Sequence, residues 1–235
     1  MSTAVGSKTV WGRARGILGV LAAAVFTTLV LVGCGGDDDG GNPGGGPGGN
    51  PSGTRGTFTD SRDGESYNKV KIGTQTWMAE NLNYVTGNSV CYEGKSSNCA
   101  KYGRLYNWET ARTACPAGWH LPSHAEWTTL VNYAGGTSTA GGKLKSTSGW
   151  DVNSFSDRGG STDEYGFSAL PGGRGSPVGD VARFYEVGQF GYWWTATEYN
   201  ANRTYQWKMS YVSGLVFGED DGKAGQFSVR CVQNP

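Results

Sequence analysis

The sequence predicts an α+β domain in which two helices precede an antiparallel sheet, with long ordered loops and two disulfides. Three observations carry that prediction. Four runs near the C-terminus, at 192–195, 205–212, 214–217 and 226–232, read as strands. Helical spacing occurs earlier, at 104–114 and again from Ser123. Glycine makes up 40 of the 235 residues and there are nine tryptophans, a composition too poor in helix formers for a bundle but rich in ring area for a core.

The first elements are an address and a tether. Residues 1–33 read as a secretory signal, with Lys8, Arg13 and Arg15 ahead of an apolar run from Ile17 to Val32. That run is short for a hydrocarbon layer of about 30 Å. Leu31-Val32-Gly33-Cys34 resembles a bacterial lipobox, which implies an acylated Cys34 anchored in a lipid membrane. Asp37-Asp38-Asp39 follows directly and resembles the tag of surface-exposed lipoproteins, so the expected location is the outer membrane, facing out. Residues 34–56 form a Gly/Pro/Asp linker in which apolar side chains are too few to build a core, and disorder is expected there.

The folded domain is expected over 57–235. Lys69–Gly73 and Gln75–Met78 alternate around Gly73-Thr74 and read as a hairpin. In the helix predicted at Arg104–Ala114, Leu105, Trp108 and Ala111 share a side, and Pro116 ends it. Ser123-His124-Ala125-Glu126 matches a capping box, followed by the stripe Trp127, Leu130 and Val131. Residues 133–180, rich in Gly and Ser, read as an ordered loop region. Cys91, Cys99, Cys115 and Cys231 are an even set in an exported chain, which favours disulfides. Of the three pairings, Cys91–Cys99 closes a short polar loop and Cys115–Cys231 ties an early segment to the last strand; these are the ones expected. No Cys-x₂-Cys pair suggests zinc.

Seven strings in order now stand together: Phe58-Thr59-Asp60-x-Arg62-Asp63-Gly64, the run from Val70 to Tyr84, Tyr102-Gly103-Arg104-Leu105-Tyr106, Cys115 to Trp127, Gly166 to Gly173, Trp193-Trp194-Thr195, and Ser228-Val229-Arg230-Cys231-Val232. Together they resemble the Fibrobacter succinogenes major paralogous domain family. The resemblance implies a C-type-lectin-like fold, in the branch shared with formylglycine-generating enzymes and the variable binding proteins of diversity-generating retroelements. It also implies a disulfide from the segment before the second helix to the final strand, in agreement with Cys115–Cys231. It supplies no biochemical activity.

Catalysis is not expected. Phosphate-loop, dinucleotide and Gly-x-Ser-x-Gly signatures are absent, and four cysteines in disulfides leave no thiol for an oxidase. His120 precedes Leu121-Pro122, so it cannot share a helical face with His124 to hold zinc. The lectin calcium tripeptides do not occur. No cofactor is expected, a structural Ca²⁺ on Asp151, Asp157, Asp163 and Glu164 being the one alternative left open. The 20 basic and 20 acidic side chains cancel, which argues against nucleic acid as a partner. In the strand 205–212, alternation places Tyr205, Trp207, Met209 and Tyr211 in the core and turns Gln206, Lys208 and Ser210 to solvent. Those three are expected to join Tyr199, Asn200, Asn202 and Arg203 of the preceding loop. Glu219, Asp220 and Lys223 of the following turn complete one recognition face for a protein or glycan ligand. The alternative readings are a structural envelope module without a ligand and an oxidase of the formylglycine-generating type, the latter requiring free thiols among the four domain cysteines.

Overall fold

The computed structural model describes residues 54–152, 160–178 and 181–235. The signal segment, Cys34, the linker as far as residue 53, and Asp157 lie outside the described residues. In chain order the first six strands are β1 (Arg55–Thr59), β2 (Ser66–Ile72), β3 (Gln75–Met78), β4 (Ser89–Val90), β5 (Leu105–Tyr106) and β6 (Trp119–His120). They are followed by β7 (Arg174–Val178), β8 (Val181–Tyr185), β9 (Phe190–Glu198), β10 (Arg203–Ser210), β11 (Val216–Gly222), β12 (Phe227–Ser228) and β13 (Val232–Gln233). The helices are α1 (Ser96–Tyr102), α2 (Trp108–Ala114), α3 (His124–Tyr133) and α4 (Ala140–Leu144). Three sheets form among the described residues: β1-β2-β3-β13-β6, β11-β10-β9-β12-β5-β4, and the hairpin β7-β8. The α+β class and both expected disulfides, Cys91–Cys99 and Cys115–Cys231, are present.

Local expectations are met where short-range chemistry decides. The Gly73-Thr74 hairpin joins β2 to β3. Ser123 caps α3: its hydroxyl accepts the Glu126 N–H, and the Glu126 carboxylate accepts the Ser123 N–H. Long-range pairing decides elsewhere. Leu105 and Tyr106, read as helical, are strand β5 because they pair with β12 and β4. The helix starts only after Asn107, whose side chain accepts the Thr110 N–H. The stretch read as loop contains α4 and β7, and the Cys91–Cys99 loop contains most of α1. The turn read at 218–223 is mostly strand, since β11 stays in register with β10 to Gly222.

Strands β9 and β10 are buried on both faces, and two cores result. One holds Val70, Ile72, Trp77, Trp127, Trp193, Trp207 and Met209; the other holds Tyr67, Met78, Tyr106, Trp108, Trp194, Phe227 and Cys231. Successive side chains of a strand point opposite ways, so Trp193 and Trp194 of β9 enter one core each. The five-stranded sheet is also coiled. Its outermost strands are β1 and β6, yet Phe58 and Trp119 stack with ring centroids 4.3 Å apart. A flat sheet would hold those strands about 19 Å apart.

The two sheets meet at one buried polar node. Asn81 Oδ1 accepts from Trp193 Nε1 (2.9 Å) and from Arg230 Nε (3.1 Å) and Nη2 (2.7 Å). Asn81 Nδ2 donates to the Tyr102 carbonyl (2.8 Å) and to Ser228 Oγ (3.3 Å). Arg230 is 0% exposed; it also donates to the Phe167 and Ser168 carbonyls, and its guanidinium lies 4.5 Å from the Phe167 ring. Burial lowers its pKa, partly offset by the charges of Asp163 and Glu80. Gly103 is required beside the node: its φ is +74°, and a Cβ there would lie 2.7 Å from Asn81 Cβ. Members of five of the seven strings thus converge on one amide and one cation. Next to it, the 116-residue separation closed by Cys115–Cys231 stabilises by about 5 kcal/mol in the chain-entropy picture. Replacing Asn81 with Leu should cost roughly 3–5 kcal/mol, because Arg230 loses its main acceptor while still buried. Urea unfolding of N81L and of N81L/R230M checks this, with the double variant expected to recover at least half of the loss.

Candidate functional site

The ten residues of the predicted face do not form one surface, because the sheet divides them. Register between β10 and β11 sets Tyr205 opposite Asp220, Trp207 opposite Gly218 and Met209 opposite Val216 on the side of the Trp193 core. Gln206 opposite Glu219, and Lys208 opposite Phe217, lie on the Trp194 side.

On the first side the β9–β10 turn is braced at every residue that matters. Asn200 Oδ1 accepts the N–H groups of Asn202 (2.9 Å) and Arg203 (3.0 Å), and the Arg203 carbonyl accepts those of Tyr199 and Asn200. The Arg203 guanidinium bonds both the carboxylate and the carbonyl of Asp220. Tyr199 is 53% exposed and meets Tyr205 edge-on at 5.4 Å, and Tyr205 in turn meets His124 at a tilt, with ring centroids 4.4 Å apart. His124 also stacks on Trp207 at 5.2 Å, and burial pushes its pKa down. Tyr199, Asn200, Asn202, Arg203 and Asp220 therefore form a polar patch with one exposed ring, on an aromatic base.

On the second side Lys208 pairs with Glu219 at 2.7 Å over the Phe217 ring. Near it, Glu186 Oε2 accepts from Arg174 Nε (2.8 Å) and from the Tyr192 hydroxyl (2.7 Å), and burial together with that carboxylate raises the Tyr192 pKa. Sequence reasoning missed Arg174, Glu186 and Tyr192. The first two come from hairpin β7-β8 and its exit, where nothing local announces a partner on β9. Lys223 sits apart, paired with Glu198 at 3.1 Å and lying over the Trp108 ring at 4.3 Å.

Gln206 and Ser210 are corrected: they are 2% and 4% exposed, not solvent-facing. Alternation predicts one wet face only when a sheet has one core, and β10 has a core on each side. Gln206 stands opposite Trp194 and its Oε1 has no hydrogen-bond partner, while Ser210 stands opposite Phe190 and its carbonyl accepts Lys145 Nζ at 2.8 Å.

The described carboxylates among those considered for Ca²⁺, Asp151, Asp163 and Glu164, are each engaged separately. Asp163 accepts the Ser168 N–H and hydroxyl, Glu164 pairs with Lys143 at 3.4 Å, and Asp151 lies against Gly188. No group of three metal-ligating His, Cys, Asp or Glu residues occurs among the described residues. The ring nitrogens of His120 bond to Asn234 Oδ1 (2.7 Å) and Glu126 Oε1 (2.8 Å), tying the C-terminal segment to the start of α3.

The profile of the Fibrobacter succinogenes major domain matches residues 70–233 of the chain. Neither a curated protein nor a solved structure matches it.

Two outcomes follow from this geometry. Replacing Gln206 with Met should raise stability by about 1 kcal/mol, since an unpaired buried carbonyl is removed at similar volume; thermal unfolding measures it, and an exposed site would show no change. Burial disfavours the charged form of Glu126, but its bonds from the Ser123 N–H, His120 and the Ser123 hydroxyl outweigh that and hold its pKa below the ordinary 4.5. A depressed carboxylate stabilises the fold above its unfolded value and loses that contribution as pH falls through the folded one. Glu126→Gln should therefore cost about 1 kcal/mol at neutral pH, with the gap to wild type closing below pH 4.5 in unfolding titrations.

Proposed function

The chain belongs to the Fibrobacter succinogenes major domain family, and from that premise we propose that it is a surface lipoprotein presenting a non-catalytic, C-type-lectin-like recognition domain. Cys34 carries the acyl anchor, residues 35–53 are the tether, and the ligand is a protein or glycan at the outer membrane. One observation carries the reading. The turn patch of Tyr199, Asn200, Asn202, Arg203 and Asp220 is outward-facing and held rigid by its own hydrogen bonds, without filling either core. A surface fixed before binding loses little conformational freedom on association. Tyr supplies contact area, and Asn and Arg supply adaptable bonds.

The lectin-like reading draws support from the pairing of the C-terminal strand β13 with β3 near the N-terminus of the domain, locked by Cys115–Cys231. The non-catalytic reading draws support from the seven strings themselves. Asn81, Trp193 and Arg230 are occupied with one another in the interior, and Cys91, Cys99, Cys115 and Cys231 are all in disulfides.

The test is binding of the chain to glycan and cell-surface protein arrays, beside Y199A/N202A/R203A and K208A/E219A variants. The expected result is a ligand whose binding falls at least tenfold in the first variant and little in the second, with unfolding unchanged. Loss only in the second variant moves the site to the Lys208 side of the sheet. Silence from all three proteins favours a structural envelope module.

A further inference from the structure

The edge strand β1 and its neighbour β2 carry cations on both faces of their sheet. Arg55 stands opposite Val70 and carries its guanidinium over Gly166, while Lys69 lies against Gly56 on the other face, with Lys71 two residues further along β2. Two open grooves share this rim. One, of about 350 Å³, has Arg55, Lys69, Glu80, Ser146 and Ser168 on its walls. The other, of about 320 Å³, is lined by Arg55, Lys69, Lys71, Thr76 and Gln233 and has no acid on its walls. Among the described residues no carboxylate pairs with Arg55, Lys69 or Lys71, whereas Arg174, Arg203, Lys208 and Lys223 all have one. A cation on an edge strand blocks unwanted pairing, but Lys69 and Lys71 lie on β2, one strand in from the edge. That role also does not require Arg55 to reach the opposite face, nor a polar groove beside the lysines.

The location of these cations in the chain suggests what they meet. β1 begins 21 residues after Cys34, so the chain cannot carry this edge farther than about 75 Å from an anchor there. An anchor at Cys34 would therefore keep lipid headgroups at high effective concentration beside this edge. We propose that the β1 edge, through Arg55, Lys69 and Lys71, docks on the anionic phosphate headgroups of the bilayer that holds the anchor. This rests on the lipoprotein reading above. A cation near an anionic bilayer favours association about fivefold, so three give roughly a hundredfold, and salt screens the effect.

The test uses the full chain, acylated, in vesicles of phosphatidylcholine alone or with phosphatidylglycerol. Amine acetylation of Lys69 and Lys71 is followed by mass spectrometry, with Lys101 as reference. The expected result is modification slowed at least fivefold in anionic vesicles only, and restored by high salt. The unacylated C34S chain freed of residues 1–33 should float with anionic vesicles and not with neutral ones, and K69E/K71E in that background should abolish flotation. The intact mass of the wild type reports acylation separately, so an absent anchor is distinguishable from an idle groove. Equal acetylation in both vesicle types, with no flotation of C34S, overturns the proposal. So does protection by inorganic phosphate without any effect of vesicles. Protection in neutral vesicles that disappears in D37N/D38N/D39N would assign the groove to the chain's own acidic run and overturn it as well.

Discussion

A buried guanidinium whose hydrogen-bonding partners are all neutral is the constraint around which this domain is arranged. Arg230 has Asn81 Oδ1 and two backbone carbonyls as acceptors, and among the described residues no carboxylate hydrogen-bonds to it. A cation in such a place is tolerable only when each acceptor is at hand with good geometry. Asn81 must therefore sit just beyond β3, the Phe167 and Ser168 carbonyls must turn inward, and Trp193 must share the same amide oxygen. Ser168 meets its part with a φ of +53°, held there by the Asp163 carboxylate. The node accounts for why strings far apart in sequence carry such specific residues, and it places their specificity in the interior.

Two cores on either side of shared sheets follow from the same economy of elements. A pair of adjacent tryptophans can serve both only if the strand between them is covered on both faces. The indole N–H groups agree: Trp193 donates to Asn81 and Trp194 to the Tyr106 carbonyl. This leaves little of β9 and β10 at the surface. What remains outside is the turn that joins them and the outer margin of β11, where charges pair in the open.

Much of the fold was legible in the sequence where a signal is local. The hairpin at Gly73-Thr74 and the capping box at Ser123 rest on contacts within a few residues, and β9, β10 and β11 on pairing with the next strand in the chain, and the structure has them. The one strand expected at 226–232 is instead the two short strands β12 and β13, which pair with the distant β5 and β3. Leu105 and Tyr106 were not legible as strand, because helical spacing and a two-residue β-pairing with residue 227 compete and only the fold decides. Of the candidate site, Tyr199, Asn200, Asn202, Arg203 and Asp220 were legible as a polar cluster and are together. Gln206 and Ser210 were not, since period-two reasoning cannot count cores. Arg174 and Glu186 were hidden by a stretch that reads as loop.

Arg230 follows Asn81 by 149 residues, and Cys231 follows Cys115 by 116. A chain made from its N-terminus therefore holds Asn81 and Trp193 without their cation, and Cys115 without its partner, until these two neighbouring residues have been made. The polar closure of the interior and its covalent closure thus arrive together, on one short stretch of chain.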